Sequence, residues 1–317
     1  MKLNHLRHLC LTFVVAVGFS GAMCAQSISY STFDVPEAAP ATPGSLSVEG
    51  INAAGLIVGY LLDASGNTDG WMRDTEGNIT LLDDPLNTSS PFVTEAYAVN
   101  DQDMIAGYFF DSSASLYYGF FYESGRYITY SAPGQPTGTD TAIGAINNHR
   151  QFCGFVLSPP YTTYQAFVSI NGALTLFSVD GSSDTECVGI NNLNTSVGLY
   201  TDSSGVYHGW SRDASGVITT FDVPGAASVL GAAPCTGGNA AGTVPDGIND
   251  KGYISGHYWD ASYNEHGFVR SPNGKFVPLN VPDAYQTAGG GINLGGTVVG
   301  HYSDTSCNNA GYTATLP

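Results

Sequence analysis

Charge is the first thing this sequence has little of. Asp, Glu, Lys and Arg make up 11% of its 317 residues, where about 25% is ordinary. Only nine residues are Lys or Arg, against 27 acids, for a formal charge of −18. Such a surface repels phosphate backbones, so nucleic acid is not an expected partner. So few basic residues alongside 40 glycines exclude a long-helix or coiled-coil protein. Disorder is excluded too, because 19 Tyr, 15 Phe and 3 Trp must be buried somewhere. No run of about 20 apolar residues is present, so no membrane span is expected. The Gly-x-Ser-x-Gly, His-Glu-x-x-His and phosphate-loop patterns of common catalysts are also missing.

What is present begins with an address. Residues 1–25 read as a signal peptide. Lys2 and Arg7 give a positive start, Leu9–Phe19 is mostly apolar, and Ser20, Gly21, Ala22 and Ala25 are small. Cleavage after Ala22 or Ala25 leaves four cysteines: Cys153, Cys187, Cys235 and Cys307. An even number in an exported chain permits two disulfides. The expected location is extracellular or periplasmic.

Self-comparison shows a repeat. Ile-Asn or Val-Asn is followed seven residues later by Gly, six times over. The Asn residues are Asn52, Asn100, Asn147, Asn191, Asn249 and Asn293; the glycines are Gly59, Gly107, Gly154, Gly198, Gly256 and Gly300. Eleven or twelve residues further on comes a small residue and then an aromatic: Trp71, Phe120, Phe167, Trp210, Phe268 and Tyr312. Turn signals such as Asn249-Asp-Lys-Gly252 and Asp213-Ala-Ser-Gly216 separate short β-rich runs. Four strands per unit of this length predict an all-β fold, a six-bladed β-propeller of four-stranded blades, formed by residues 26–317 as one domain. The segment Ile28–Pro36 matches Ile218–Pro224, the fourth strand of unit four, while unit six stops after its third strand. The N-terminal strand is therefore expected to complete the last blade and close the ring. An open stack of β-units or a two-sheet sandwich is the alternative.

The recurring residues have structural readings. Each Asn precedes a turn that its side chain can cap, which outweighs a ring of ligands around a channel. The glycines are expected where neighbouring blade backbones approach, and the six aromatics between blades. Asp63, Asp111, Asp202, Asp260 and Asp304 open hairpin loops. The stretch Asp63–Gly70 resembles a calcium loop loosely but lacks its spacing of acids. His257 and His301 occupy a register that elsewhere holds Tyr60, Tyr108, Phe155 and Leu199, so they are expected to pack between blades rather than bind metal. His208 and His266 are expected to be structural hydrogen-bonders, and His149 lies in a turn.

Together, Ile-Asn-x-x-Gly, Val-Gly-x-Tyr and His-Gly-aromatic, best seen at His208-Gly209-Trp210 and His266-Gly267-Phe268, resemble the HAF-type probable extracellular repeat of bacteria. Gly stands where that family has Ala in His-Ala-Phe, and units one, two, three and six lack the His. The resemblance implies an exported bacterial protein and supplies no catalytic residues.

Propeller topology puts Cys235, in the long insertion 225–246, on the same face as Cys307. Cys153 and Cys187 fall in neighbouring blades. The expected pairs are Cys153–Cys187 and Cys235–Cys307, each contributing roughly 4 kcal/mol in the chain-entropy model. That face also collects Tyr117, Tyr161, Tyr164, Tyr207, Trp259 and Tyr263, candidates for stacking on sugar rings or for a protein hot spot. The expected function is a secreted, non-catalytic binding module for carbohydrate or a surface protein, monomeric and without a cofactor. A hydrolase or lyase acting on carbohydrate or lactone would instead need acids to converge, with Asp184, Glu186, Asp246 and Asp283 as candidates. A structural envelope or matrix role is the third reading. Clustered acids in a central pocket would favour the enzyme; a flat aromatic face would favour the binder.

Overall fold

The computed structural model describes residues 27–36, 38, 45–87, 92–235 and 238–317. The expected signal segment, 1–25, lies outside them. The fold is all-β, and its strands fall into antiparallel sets of four. The first set is Leu46–Ile51, Ile57–Leu62, Thr68–Arg73 and Ile79–Leu82; the second is Thr94–Val99, Ile105–Asp111, Leu116–Glu123 and Arg126–Tyr130. The third is Asp140–Ile146, Phe152–Leu157, Tyr164–Ile170 and Ala173–Phe177. The fourth, Asp184–Ile190, Ser196–Thr201, Tyr207–Arg212 and Ile218–Phe221, touches the fifth through one parallel pairing of Tyr207 with Gly242. The fifth is Gly242–Ile248, Ile254–Trp259, Glu265–Arg270 and Phe276–Leu279. The last set is Gln286–Ile292, Thr297–Ser303, Asn309–Thr315 and, from the other end of the chain, Ser29–Phe33.

The repeat motif is explained by packing within each set. Gly59 lies opposite Trp71, and Gly198 opposite Trp210, on paired strands. A Cβ on Gly59 would overlap the Ser47 carbonyl oxygen, and one on Gly198 that of Glu186, while the indole covers the other side. The close approach therefore comes from the first strand of the same unit, which corrects the expectation of a neighbouring blade. Trp71, Phe120, Phe167, Trp210, Phe268 and Tyr312 are all buried at 0–1% exposure, so they form the core.

Each Asn caps its own turn. Asn52 Oδ1, for example, accepts from the N–H groups of Gly55 and Leu56, both at 3.0 Å. Its Nδ2 does something further: it donates to the Asn100 carbonyl at 3.1 Å. Asn100 donates in turn to Asn147, Asn147 to Asn191, Asn191 to Asn249, Asn249 to Asn293, and Asn293 back to Asn52. The loop aspartates make Asx turns as expected. Asp63 Oδ1 accepts from Ser65 and Asn67 N–H, and Asp202 and Asp260 do the same in their loops.

Both expected disulfides, Cys153–Cys187 and Cys235–Cys307, are formed. The second ties the insertion 225–246 to the loop that opens at Asp304. The insertion carries a small hairpin, Gly231–Ala232 with Asn239–Ala240. It also bonds Trp259 through Ala227 and Tyr207 through Ala241. It thus lies over the loops of the fourth, fifth and sixth units.

Candidate functional site

The first strand of every unit is broken by a bulge just before its Asn. Register shifts fall between Val48 and Gly50, Ala96 and Ala98, Ile143 and Ala145, Cys187 and Gly189, Pro245 and Gly247, and Gly289 and Ile292. A bulge takes one residue out of the ladder and re-aims it. The re-aimed side chains include Glu49, Tyr97, Val188 and Asp246, and these line a narrow space of about 70 Å³ bounded by the first strands of all six units. Behind it the Ile/Val-Asn motifs of all six units border a second space of about 120 Å³. Tyr97 also borders a larger cavity of about 320 Å³ that opens among the second, third and fourth units.

That larger cavity is the candidate site. Its aromatic walls are Tyr97, Tyr108, Tyr117, Phe155 and Tyr164; its acids are Glu95, Asp140 and Glu186. Tyr97 and Tyr108 stack with centroids 5.5 Å apart, Tyr117 meets Tyr108 edge-on at 5.8 Å, and Tyr164 meets Phe155 edge-on at 5.2 Å. Glu95 Oε2 accepts from Tyr108 at 2.6 Å and from Tyr97 at 3.1 Å. Asp140 accepts from the Tyr117 N–H at 2.8 Å, which fixes where the Tyr117 ring begins. Burial raises the Glu95 carboxyl more than its two tyrosine hydrogen bonds lower it. Burial, with the Asp184 charge beside it, pushes Glu186 up to about 7.

A second buried cluster adjoins the narrow central space, here called the channel, through Glu49 and Asp246. His257 Nδ1 pairs with Asp246 at 2.8 Å, and its Nε2 lies 3.6 Å from Glu265. Burial lowers the imidazole, but Asp246, Glu265 and Glu49 outweigh it and push His257 up to about 9. Burial, with the Asp246 charge, pushes Glu49 up to about 8, although Ser47 donates to its carboxylate. His301 goes the other way. Burial and the His257 charge push it down to about 4, and its Nδ1 has no hydrogen-bond partner among the described residues. Among the described residues no group of three His, Cys, Asp or Glu is arranged to hold a metal ion.

The residues singled out from sequence divide clearly. Tyr117 and Tyr164 line the cavity. Tyr161 is 48% exposed, and its hydroxyl donates to the Gly138 carbonyl at 2.6 Å, outside the cavity wall. Trp259 and Tyr263 correct the expectation of an exposed aromatic face. Trp259 is only 6% exposed, packed with Leu199, Ala233, Ala240 and Val244, with Tyr207 and Tyr263 against the same cluster. The insertion folds down on them, and the Tyr263 ring fills the place where a Gly231 side chain would be. Trp259→Ala is therefore expected to cost about 3–5 kcal/mol in chemical denaturation while leaving ligand binding at the cavity unchanged. A binding loss without a stability loss would restore the surface reading. Of the four acids, Glu186 reaches the cavity and Asp246 the channel. Asp184 is engaged by the Tyr164 N–H at 2.7 Å, and Asp283 is exposed in a turn. Glu49 and Glu95 escaped sequence reading altogether. His208 bonds Asp222 and Asp202, and His266 bonds Asn280 and Asp260, as structural residues should.

No family model and no curated protein matches the chain. Solved structures do resemble it. AofleA from Arthrobotrys oligospora superposes with a TM-score of 0.53 at 11% identity, over 92% of this chain and 87% of its own. The Aleuria aurantia lectin, a six-bladed β-propeller with a fucose recognition mode, gives 0.50 at 10% identity, over 87% and 93%. The fold is a β-propeller. TolB from Acinetobacter baumannii gives 0.50 at 13% identity over 81% of this chain, which spans 63% of the TolB chain. At such identities the likeness extends to the propeller fold alone.

Proposed function

We propose that this chain is an exported, HAF-type repeat protein whose six blades form a ring closed by Ser29–Phe33, and that it binds carbohydrate in the cavity among blades two, three and four. The observation that carries the binding reading is the lining itself: five aromatic faces and three carboxylates around about 320 Å³. Aromatic faces suit the apolar faces of sugar rings, and carboxylates accept from sugar hydroxyls. The circuit of Asn hydrogen bonds supports six blades in a ring, and two disulfides support an oxidising, exported location. Fucose recognition by a lectin of the same fold is a precedent for sugars on propellers.

A second reading, cleavage of the bound sugar, is favoured by Glu186. A carboxyl that keeps its proton up to about pH 7 is suited to act as a general acid. One experiment addresses both. The exported protein is assayed against a panel of soluble oligosaccharides for protein bound and for sugar released. Binding without release, weakened about tenfold or more in Tyr117→Ala and Tyr164→Ala, is the expected outcome. Release that disappears in Glu186→Gln would replace binding by catalysis. Binding indifferent to both tyrosines would remove the cavity from consideration.

A further inference from the structure

Carbohydrate binding leaves the sugar class open, and the cavity's chemistry narrows it. The lining is unbalanced. Glu95, Asp140 and Glu186 are all acids, and no Lys, Arg or His lines the cavity. Two of its hydroxyls are already committed, because Tyr97 and Tyr108 both donate to Glu95. Asp140 has the Tyr117 N–H. Glu186 is different: it is half-buried, it lines the cavity, and among the described residues no group donates a hydrogen bond to its carboxylate. A carboxylate held in a cavity wall without a protein donor is best matched by a cationic hydrogen-bond donor. The walls around it point the same way. The faces and edges of Tyr97, Tyr108, Tyr117, Phe155 and Tyr164 surround the space, and aromatic faces attract an ammonium group through their quadrupoles.

Building on the carbohydrate reading, on which this rests, we infer that the cavity recognises an amino sugar, a hexosamine unit with a free ammonium group. The ammonium donates to the Glu186 carboxylate while the ring lies on the tyrosine walls. Glu95, held by its two tyrosines, supplies acceptors across the cavity. An N-acetylated sugar lacks the charge and brings an extra acceptor into a space already rich in acceptors. A neutral hexose keeps the ring contacts but offers Glu186 only an uncharged hydroxyl donor, a weaker hydrogen bond than an ammonium makes. Glu186→Gln removes the charge with little change of shape, so it tests the ion pair rather than the packing.

The test compares a glucosamine trisaccharide with its N-acetylated and neutral glucose counterparts, by titration calorimetry at about pH 6 and moderate salt, on the exported protein. The amino sugar is expected to bind about tenfold or more tighter than either counterpart. In Glu186→Gln that preference should fall to within about threefold. Equal binding of all three sugars in the parent protein would overturn the inference and leave the carbohydrate reading standing. No binding of any sugar would overturn both. An amino-sugar preference that survives in Glu186→Gln would place the attraction in the general negative charge and overturn the role of Glu186. A second measurement needs no variant. The groups facing Glu186 are Asp184 on its own strand, Tyr164 and Tyr207, and the Glu95 and Asp140 carboxyls of the cavity. At pH 6 Glu186 holds its proton in the free protein and must give it up to an ammonium. Calorimetry in two buffers of different ionisation heat should therefore show proton release with the amino sugar and none with the neutral one. Absence of that release would overturn the ion pair.

Discussion

Deleting residues 28–36 is expected to lower the melting temperature by more than about 10 °C, or to abolish the cooperative transition. The short segment is joined to three parts of the molecule. Ser29–Phe33 pairs residue for residue with Gly311–Thr315. The Phe33 ring lies over Gly311, meets Trp71 edge-on at 6.4 Å and carries the Arg73 guanidinium at 4.7 Å. Tyr30 packs on Tyr312 at 6.1 Å, and its hydroxyl accepts from the Asn280 N–H at 3.1 Å. Val35 is buried among Leu46, Val48 and Trp71. Removal would therefore expose the core aromatics Trp71 and Tyr312 together and leave Asn309–Thr315 as an unpaired edge. Losing buried Val35 with half-buried Ile28, Tyr30 and Phe33 costs more than about 5 kcal/mol, and each kcal/mol moves the melting temperature of a domain this size by about 2–4 °C. A synthetic peptide of residues 28–36 added in trans should recover part of the loss. An unchanged melting temperature on deletion would show that the segment does not hold the fold together.

The propeller was legible because its repeating residues answer a geometric demand made six times. Gly59 and its counterparts must lack a Cβ because a first-strand carbonyl lies where it would stand, and each Asn must both cap a turn and reach the next unit. Such positions recur with identical chemistry. The site does not. Three residues before each Asn stand Glu49, Tyr97, Gly144, Val188, Asp246 and Gly290, a series with no shared chemistry and, being at a bulge, outside the alternation that marks strand faces. That variability was itself the available signal: in a strict repeat, a position that varies in charge and size is one the fold does not constrain. Trp259 and Tyr263 misled for another reason. They sit in and beside a loop, where aromatics read as exposed, but the insertion that covers them is anchored through Cys235 to Cys307, 72 residues further along the sequence.

The channel cluster makes the protein an acid-preferring fold, and the expected result is a melting temperature that falls by on the order of 5 °C or more between pH 6.5 and pH 9. Three groups titrate in that window, and all act with one sign. Glu186 keeps its proton to about pH 7 and Glu49 to about pH 8, whereas each would lose it near its ordinary value of 4.5 in the unfolded chain. His257 keeps its proton to about pH 9, against an ordinary 6.5. Over this range the folded state binds more protons than the unfolded one, so stability falls as pH rises. His301 has the opposite sign, but its window runs from about 4 up to 6.5 and is closed before the fall begins. Physically, alkali forces a second negative charge, Glu49, into a channel that already holds Asp246, and then removes the His257 charge that offset them. Glu49→Gln should flatten the part of the fall that ends near pH 8, while His257→Gln should lower stability at pH 6.5 and weaken the decline between about pH 6.5 and 9. A melting temperature flat from pH 6.5 to 9 would mean that water reaches these carboxylates and that the channel is not the low-dielectric space its packing describes.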